Sequence, residues 1–255
     1  MFNFSCCLRT THLANHYKNL AFIVEIDDDM FMRYPGGKGK CFHQIINLMP
    51  RHHTYIEPFL GGGAVMRNKK PAERNIGIDL DPRVFDMWQQ ISHPGMELIH
   101  ADAVSYLSSF NFDGGELVYI DPPYLPSTRR KQRIYRFEYN DEQHINLLKL
   151  ANSLPCLVMI SGYDNSLYDQ HLDKWNKSKF FVNSHAGRRE ECVWFNFAHA
   201  EALHDTTYLG ETFRDRQSVK RRRGRLHERI ERMDAVERSD LMEWMIATYG
   251  EDRTM

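Results

Sequence analysis

Short apolar runs that end on acids, glycines or prolines, and that alternate with helix-patterned stretches, constrain this chain more than any other feature. Residues 53–59 (HTYIEPF) form an extended run that stops at a glycine cluster. Residues 73–81 (ERNIGIDLD) are apolar and β-branched and close on acids. Residues 116–124 (ELVYIDPPY) run into two prolines, and residues 156–163 (CLVMISGY) and 191–197 (ECVWFNF) predict a fourth and a fifth strand, the last alternating with period two. Between them, residues 81–91 place Val84, Met87, Trp88 and Ile91 at helical spacing. Residues 140–154 open with Asn140 and carry Gln143 three positions later, a capping-box pattern, ahead of an apolar face of Ile145, Leu147, Leu148, Leu150 and Leu154. Strands alternating with helices predict an α/β fold of βαβ units, with a mostly parallel twisted sheet covered by helices on both faces. Ligands in such sheets sit at the carboxyl ends of strands. The unusual residues cluster there: Glu57 to Gly63, Asp79, and Asp121 to Tyr124.

Composition sets the remaining bounds. The 255 residues are 42 % hydrophobic and 26 % charged, ordinary for a globular chain long enough to bury one large core. The net charge of −1 names no partner, but residues 214–225 hold seven Lys/Arg against one Asp. The five cysteines, at 6, 7, 41, 156 and 192, have no zinc spacing and read as a reduced, cytoplasmic chain without a disulfide framework. No apolar run has the length of a membrane span, and no metal-ligand set is visible. Residues 1–29 have no clear amphipathic period and are too polar for a signal peptide's core; they read as an upstream extension, disordered or loosely packed, or as a short helix lying on the domain. The expected organisation is therefore residues 1–29 as an extension, 30–200 as the catalytic domain and 201–255 as a small basic helical extension. In the last of these, residues 226–249 predict two short helices, with Ser239 capping the second and Gly250 ending it.

Two motifs define a pocket. In EPFLGGGAV (57–65) a strand ends and three glycines precede a helix, letting the backbone turn sharply and approach a ligand. Asp79 ends the next strand, where an acid can accept hydrogen bonds from ribose hydroxyls. Together they point to a nucleoside-containing cofactor; NAD and S-adenosylmethionine both fit at this level. Asp121-Pro122-Pro123-Tyr124 separates the two. An exocyclic amino group is a poor nucleophile until its lone pair is localised. A carboxylate and a carbonyl, both acceptors, can hold its two hydrogens and aim the lone pair, and the carboxylate stabilises the charge that develops on nitrogen. The prolines stiffen the turn and leave the Pro122 carbonyl free to accept, and Tyr124 offers a flat face for a base taken out of the duplex.

These pieces, in order, resemble the DNA adenine-N6 methyltransferases of the DNA adenine methylase type found in bacteria and phages. YPGGKGK (34–40) is similar to that family's N-terminal cofactor motif, EPFLGGGAV to its FxGxG motif, GIDLD to its ribose-binding acid and DPPY to its catalytic motif, over roughly residues 33–197. The resemblance implies a Rossmann-like class I methyltransferase fold and methyl transfer from S-adenosylmethionine to adenine N6 in DNA, double-stranded by preference, as in restriction-modification. It implies Asp121, Pro122 and Tyr124 as catalytic residues. It further implies cofactor contacts from Tyr34, Lys38, Glu57, Phe59, Gly61, Gly63, Asp79, Asp102 and Asp121. Two readings stand for Asp102, an acid near the cofactor's adenine or a helix cap, and two for Lys38, a cofactor contact or a solvated lysine.

Relatives of this type commonly carry a target-recognition domain between the equivalents of Asp102 and Asp121. Here the two are only nineteen positions apart, and no such domain fits. Recognition then falls to the loop at 125–144 and to the C-terminal basic segment, and a GATC target is not implied. Arg129, Arg130, Lys131, Arg133 and Arg136, interleaved with Tyr135, Phe137 and Tyr139, suit phosphate contacts. Arg188 and Arg189, and Lys220, Arg221 and Arg222, extend that basic set. Solvated loops and helix faces are the plainer reading of each. The competing functions are methylation of RNA or of another amide or amine, and a non-catalytic nucleic-acid-binding module.

Overall fold

The computed structural model describes residues 37–91, 95–129, 134–184 and 187–250, with the side chains at 183, 184, 187 and 188 left aside. Four strands are apolar runs buried on both faces: β1 (Thr54–Glu57), β2 (Arg74–Asp79), β4 (Glu116–Ile120) and β5 (Leu157–Gly162). Such runs are what a covered parallel sheet requires. With β3 (Met96–His100), β6 (Asn176–Ser184) and β7 (Gly187–Phe195) they form a seven-stranded sheet of order β3-β2-β1-β4-β5-β7-β6. The first five pair in parallel; β7 runs antiparallel to both β5 and β6. This is a Rossmann-like, mostly parallel α/β arrangement.

The helices are α1 (Phe42–Ile46), α2 (Ala64–Asn68), α3 (Pro82–Gln89), α4 (Ala103–Ser109), α5 (Asp141–Ser153), α6 (Ser166–His171), α7 (Phe213–Glu231) and α8 (Ala235–Tyr249). Side chains alternate along each strand and so feed two cores. On one face Ile56, Ile78, Val118 and Ile120 pack with Leu147, Leu148 and Ala151 of α5. On the other, Tyr55, Leu117 and Tyr119 pack with Ile45 and Ile46 of α1, Val65 of α2, and Val84 and Trp88 of α3. β1 lies between β2 and β4, so the chain reverses its direction of winding there. The crevice at the carboxyl ends of β1 and β4 is where such a sheet binds ligands.

The expected capping box forms: Asn140 accepts from the Gln143 N–H at 2.9 Å, and the Gln143 side chain accepts from the Asn140 N–H at 2.9 Å. Two strands were not legible in the sequence. β3 and β6 are the sheet's edges, so their outer sides need no apolar alternation, and β6 (NKSKFFVNS) is largely polar. The C-terminal helices also differ from expectation. The first starts at Phe213, not near 226, because Thr212 and Asp215 make a capping box. The second is capped by Asp234, whose side chain accepts from the Val236 N–H at 2.8 Å, and Ser239 lies inside it; Gly250 does follow its end. Cys41, Cys156 and Cys192 are free thiols, while Cys6, Cys7 and the whole 1–29 segment lie outside the described residues. Among the described residues no helix is long and apolar enough to cross a membrane.

Gly63 shows why the turn after β1 is glycine-rich. Its φ is +54°, and a Cβ there would lie 2.3 Å from the Trp88 ring. The indole in turn donates to the Gly61 carbonyl at 2.8 Å. Gly63→Ala should therefore cost about 3 kcal/mol, from the left-handed backbone and the clash together. Urea denaturation reads this directly, and Trp88→Phe in the same background should recover part of the loss.

Candidate active site

The carboxyl ends of β1, β2 and β4 each carry an acid, and all three face one cleft. Glu57 closes β1, Asp79 closes β2 and Asp121 follows β4. Empty space in the cleft, with the open solvent at its mouth included, is about 810 Å³. Its lining includes Lys38, Phe59, Gly61, Gly63 and Asp102, along with the three strand-end acids. Sequence positions far apart are thus brought together at one cleft. Tyr34, Arg130, Lys131 and Arg133 lie outside the described residues, as does the side chain of Arg188.

Asp79 is held from two sides. One oxygen accepts from the Gly61 N–H at 2.8 Å and the other from the Asp81 N–H at 2.8 Å. The acid therefore fixes the glycine turn, and each oxygen keeps a second lone pair for a ligand hydroxyl. Burial pushes its pKa up, and the two backbone donors oppose that shift. The helix-cap reading of Asp102 is seen directly, its carboxylate accepting from the Ser105 N–H at 2.8 Å at the start of α4, and the residue also lines the cleft.

Lys38 is not a solvated lysine. Its Nζ lies 2.6 and 2.7 Å from the two Asp121 oxygens and 4.8 Å from the centre of the Tyr124 ring. Its carbonyl accepts the N–H groups of Cys41 and Phe42 at 2.9 and 2.8 Å, which fixes the lysine at the first turn of α1. Burial alone would lower the Lys38 pKa; the carboxylates of Asp121 and then Glu191 outweigh it and hold the ammonium charged. Burial likewise raises the pKa of Asp121, and the Lys38 ammonium opposes it. Tyr124 is buried, and its hydroxyl donates to Glu191 Oε2 at 2.6 Å.

The segment after the DPPY turn divides between two tasks. Arg129, expected at a phosphate, is turned inward: its side chain is 2 % exposed and forms a bidentate pair with Glu138 at 3.1 and 2.6 Å. Arg136 is half exposed and reaches Asp81 at 2.8 Å, tying this segment to the loop after β2. Tyr135, Phe137 and Tyr139 wall the cleft, with Tyr139 edge-on to Phe59 at 5.5 Å. Arg189 donates to the Tyr163 hydroxyl at 2.7 Å, and Lys220, Arg221 and Arg222 are exposed on α7. Asp81, Tyr163 and Glu191 escaped the sequence reading. Glu191 alone left a signal, an acid at a core-facing position of an alternating strand.

The donor set fits S-adenosylmethionine. Asp79 and Asp102 offer acceptors for the nucleoside's hydroxyls and exocyclic amino group, and Phe59, Phe137 and Tyr139 offer flat walls. Asp121, at the inner end, offers an anion for a sulfonium.

Glu57 is sealed beneath the turn. Its Oε2 accepts from the Tyr55 hydroxyl at 2.9 Å and the Met66 N–H at 3.1 Å. Burial pushes its pKa up to about 8, against an ordinary 4.5. The folded state therefore binds more protons than the unfolded state between these values, so stability falls as pH rises through that window and levels off above about 8. Glu57→Gln cannot ionise and should decline less. Thermal midpoints of the two proteins from about pH 5 to about pH 8 test this; equal slopes would mean that the folded protein holds Glu57 ionised.

Residues 34–111 match the family described as D12 class N6 adenine-specific DNA methyltransferase. Among curated proteins no sequence matches. Solved structures that resemble the chain include the N-methyltransferase NodS from Bradyrhizobium japonicum, at 12 % identity and TM-score 0.45, covering 68 % of this chain and 100 % of that one. TrmK of M. capricolum, in complex with S-adenosylhomocysteine, aligns at 6 % identity and TM-score 0.41 over 80 % of this chain and 92 % of its own. Precorrin 8W decarboxylase of Methanobacterium thermoautotrophicum aligns at 9 % identity and TM-score 0.43 over 65 % and 94 %. The matched segment is the one that supplies Lys38, the glycine turn, Asp79 and Asp102, and it is similar to the D12 class of N6 adenine-specific DNA methyltransferases.

Proposed function

We propose that this protein methylates the exocyclic N6 of adenine in double-stranded DNA, with the target base turned out of the helix into the DPPY pocket. The observation that carries this reading is the acceptor site at the end of β4. The Asp121 carboxylate, buried beside the cleft, already holds an amino-type nitrogen, the Lys38 ammonium, over the Tyr124 ring. An adenine amino group needs the same surroundings.

S-adenosylmethionine, when bound, supplies a methyl group on a positively charged sulfur. The chain does the rest. Asp121 and the Pro122 carbonyl accept the two amino hydrogens and aim the nitrogen lone pair along the cleft. The Asp121 charge stabilises the cation that forms on nitrogen. Tyr124 stacks on the base, a contribution of about 1–3 kcal/mol. Lys38 withdraws from Asp121 as the amino group arrives. Asp79, Asp102 and Phe59 hold the nucleoside end, and Gly61 and Gly63 form the turn beneath it.

In this reading residues 30–200 are the catalytic domain and 201–255 an accessory segment that follows the DNA backbone. Arg136 and Arg189 of the domain and Lys220, Arg221 and Arg222 of the accessory segment are the phosphate contacts; Arg129 instead braces the segment after DPPY through Glu138. The test is incubation with labelled S-adenosylmethionine and DNA or RNA of mixed sequence, followed by sequencing that detects modified adenines. Label in RNA alone, or in neither polymer, would overturn the reading. Asp121→Ala should reduce transfer at least about 100-fold, and full activity in it would remove Asp121 from the chemistry. Replacing Lys220, Arg221 and Arg222 by Ala should make log K against log salt less steep by about 2–3 units, measured by DNA titration; an unchanged slope would take α7 off the DNA.

A further inference from the structure

Tyr124 is gripped at three points. The Lys38 ammonium lies 4.8 Å from its ring centre. Tyr163 meets it edge-on, with ring centres 4.7 Å apart at 78°, and is itself held by Arg189 through its hydroxyl at 2.7 Å. The Tyr124 hydroxyl donates to Glu191 Oε2 at 2.6 Å. Of these, Lys38 must leave when a base arrives, and Tyr163 meets the ring nearly at a right angle. Glu191 is the partner to which the hydroxyl donates at 2.6 Å, with the Asp121 carboxylate also bearing on it.

The placement of Glu191 is set by β7. Cys192 pairs with Gly162 at the end of β5, so Glu191 lies level with Tyr163, at the carboxyl end of the parallel strands. Val193 and Phe195, two and four positions further on, point into the core that holds Cys41 and Tyr119. By strand alternation Glu191 faces the same side, an acid in an otherwise apolar row. Leaving a carboxylate there is costly unless it is used. Burial raises its pKa, and Lys38 and the Tyr124 hydroxyl both work against that rise.

We propose that Glu191 is a positioning residue for methyl transfer: its carboxylate anchors the Tyr124 hydroxyl and so fixes the ring on which the target adenine stacks. This rests on the reading of Tyr124 as the stacking face. A ring pinned at its far end keeps its plane when Lys38 withdraws, so the amino group is delivered to Asp121 without a search over ring orientations. Charge-assisted hydrogen bonds of this kind are shorter and roughly twice as strong as neutral ones.

Five proteins test it: the parent, Glu191→Gln, Glu191→Ala, Tyr124→Phe and the double variant Glu191→Ala/Tyr124→Phe, each checked for folding by circular dichroism. Gln keeps an acceptor and should stay within about threefold of the parent in kcat. Ala and Phe both break the bond and should each lose at least about thirtyfold in kcat, with the KM for S-adenosylmethionine within about twofold. The double variant Glu191→Ala/Tyr124→Phe should lose no more than either single change, because both act through one bond. An Ala variant with parental kcat, an equal loss in Gln and Ala, or additive losses in the double variant would overturn the assignment while the parent still methylates DNA. A parent that modifies no DNA would bring down the functional reading, and the assignment with it.

Discussion

The site is organised by one buried ion pair. Lys38 and Asp121 are 83 residues apart in sequence and bond through both carboxylate oxygens, with side chains only 6 % and 16 % exposed. Removing two charges from water costs several kcal/mol per ion, and the gain on pairing only roughly offsets it. Such a pair is therefore poor at adding stability and good at fixing geometry. It ties the turn before α1 to the end of β4 and keeps an acceptor charged in the interior. It also means that the acceptor is exchangeable, because a second nitrogen can take the place of the first.

Around that pair the chain uses acids to hold backbone. Asp79 takes the N–H groups of Gly61 and Asp81, and Asp81 caps α3 while meeting Arg136. The glycine turn, the end of β2 and the segment after DPPY are thereby linked in one network. The glycines answer to protein packing as much as to any ligand: Trp88 occupies the space a side chain at Gly63 would need. The same network explains why the aromatic residues after DPPY face the cleft. Arg129, a basic residue expected to turn toward DNA, is drawn to Glu138 instead, while Arg136 meets Asp81 and stays half exposed.

The two C-terminal helices are held differently. Neither α7 nor α8 has a buried residue, and each begins at a side-chain cap, Thr212 with Asp215 and Asp234 respectively. Arg223 joins α7 to Thr206 at 3.1 Å. Their stability rests on caps and local charge, which leaves the basic face of α7 to solvent or to a polyanion.

The sequence by itself determined the βαβ core, the strand-end acids and the DPPY turn. Buried parallel strands must be continuous apolar runs, and an acid or proline ending such a run is conspicuous. It also determined the Asn140 capping box, because caps are local chemistry. It could not show the edge strands β3 and β6, whose outer sides answer to no core. Nor could it show that Lys38 is buried, that Arg129 turns inward or that Glu191 reaches Tyr124. Those facts depend on which side chains the crossovers bring within about 3 Å of each other, the reach of a hydrogen bond. Pairing across 83 residues, or between β4 and β7, leaves no period in the sequence, and only the folded sheet decides it.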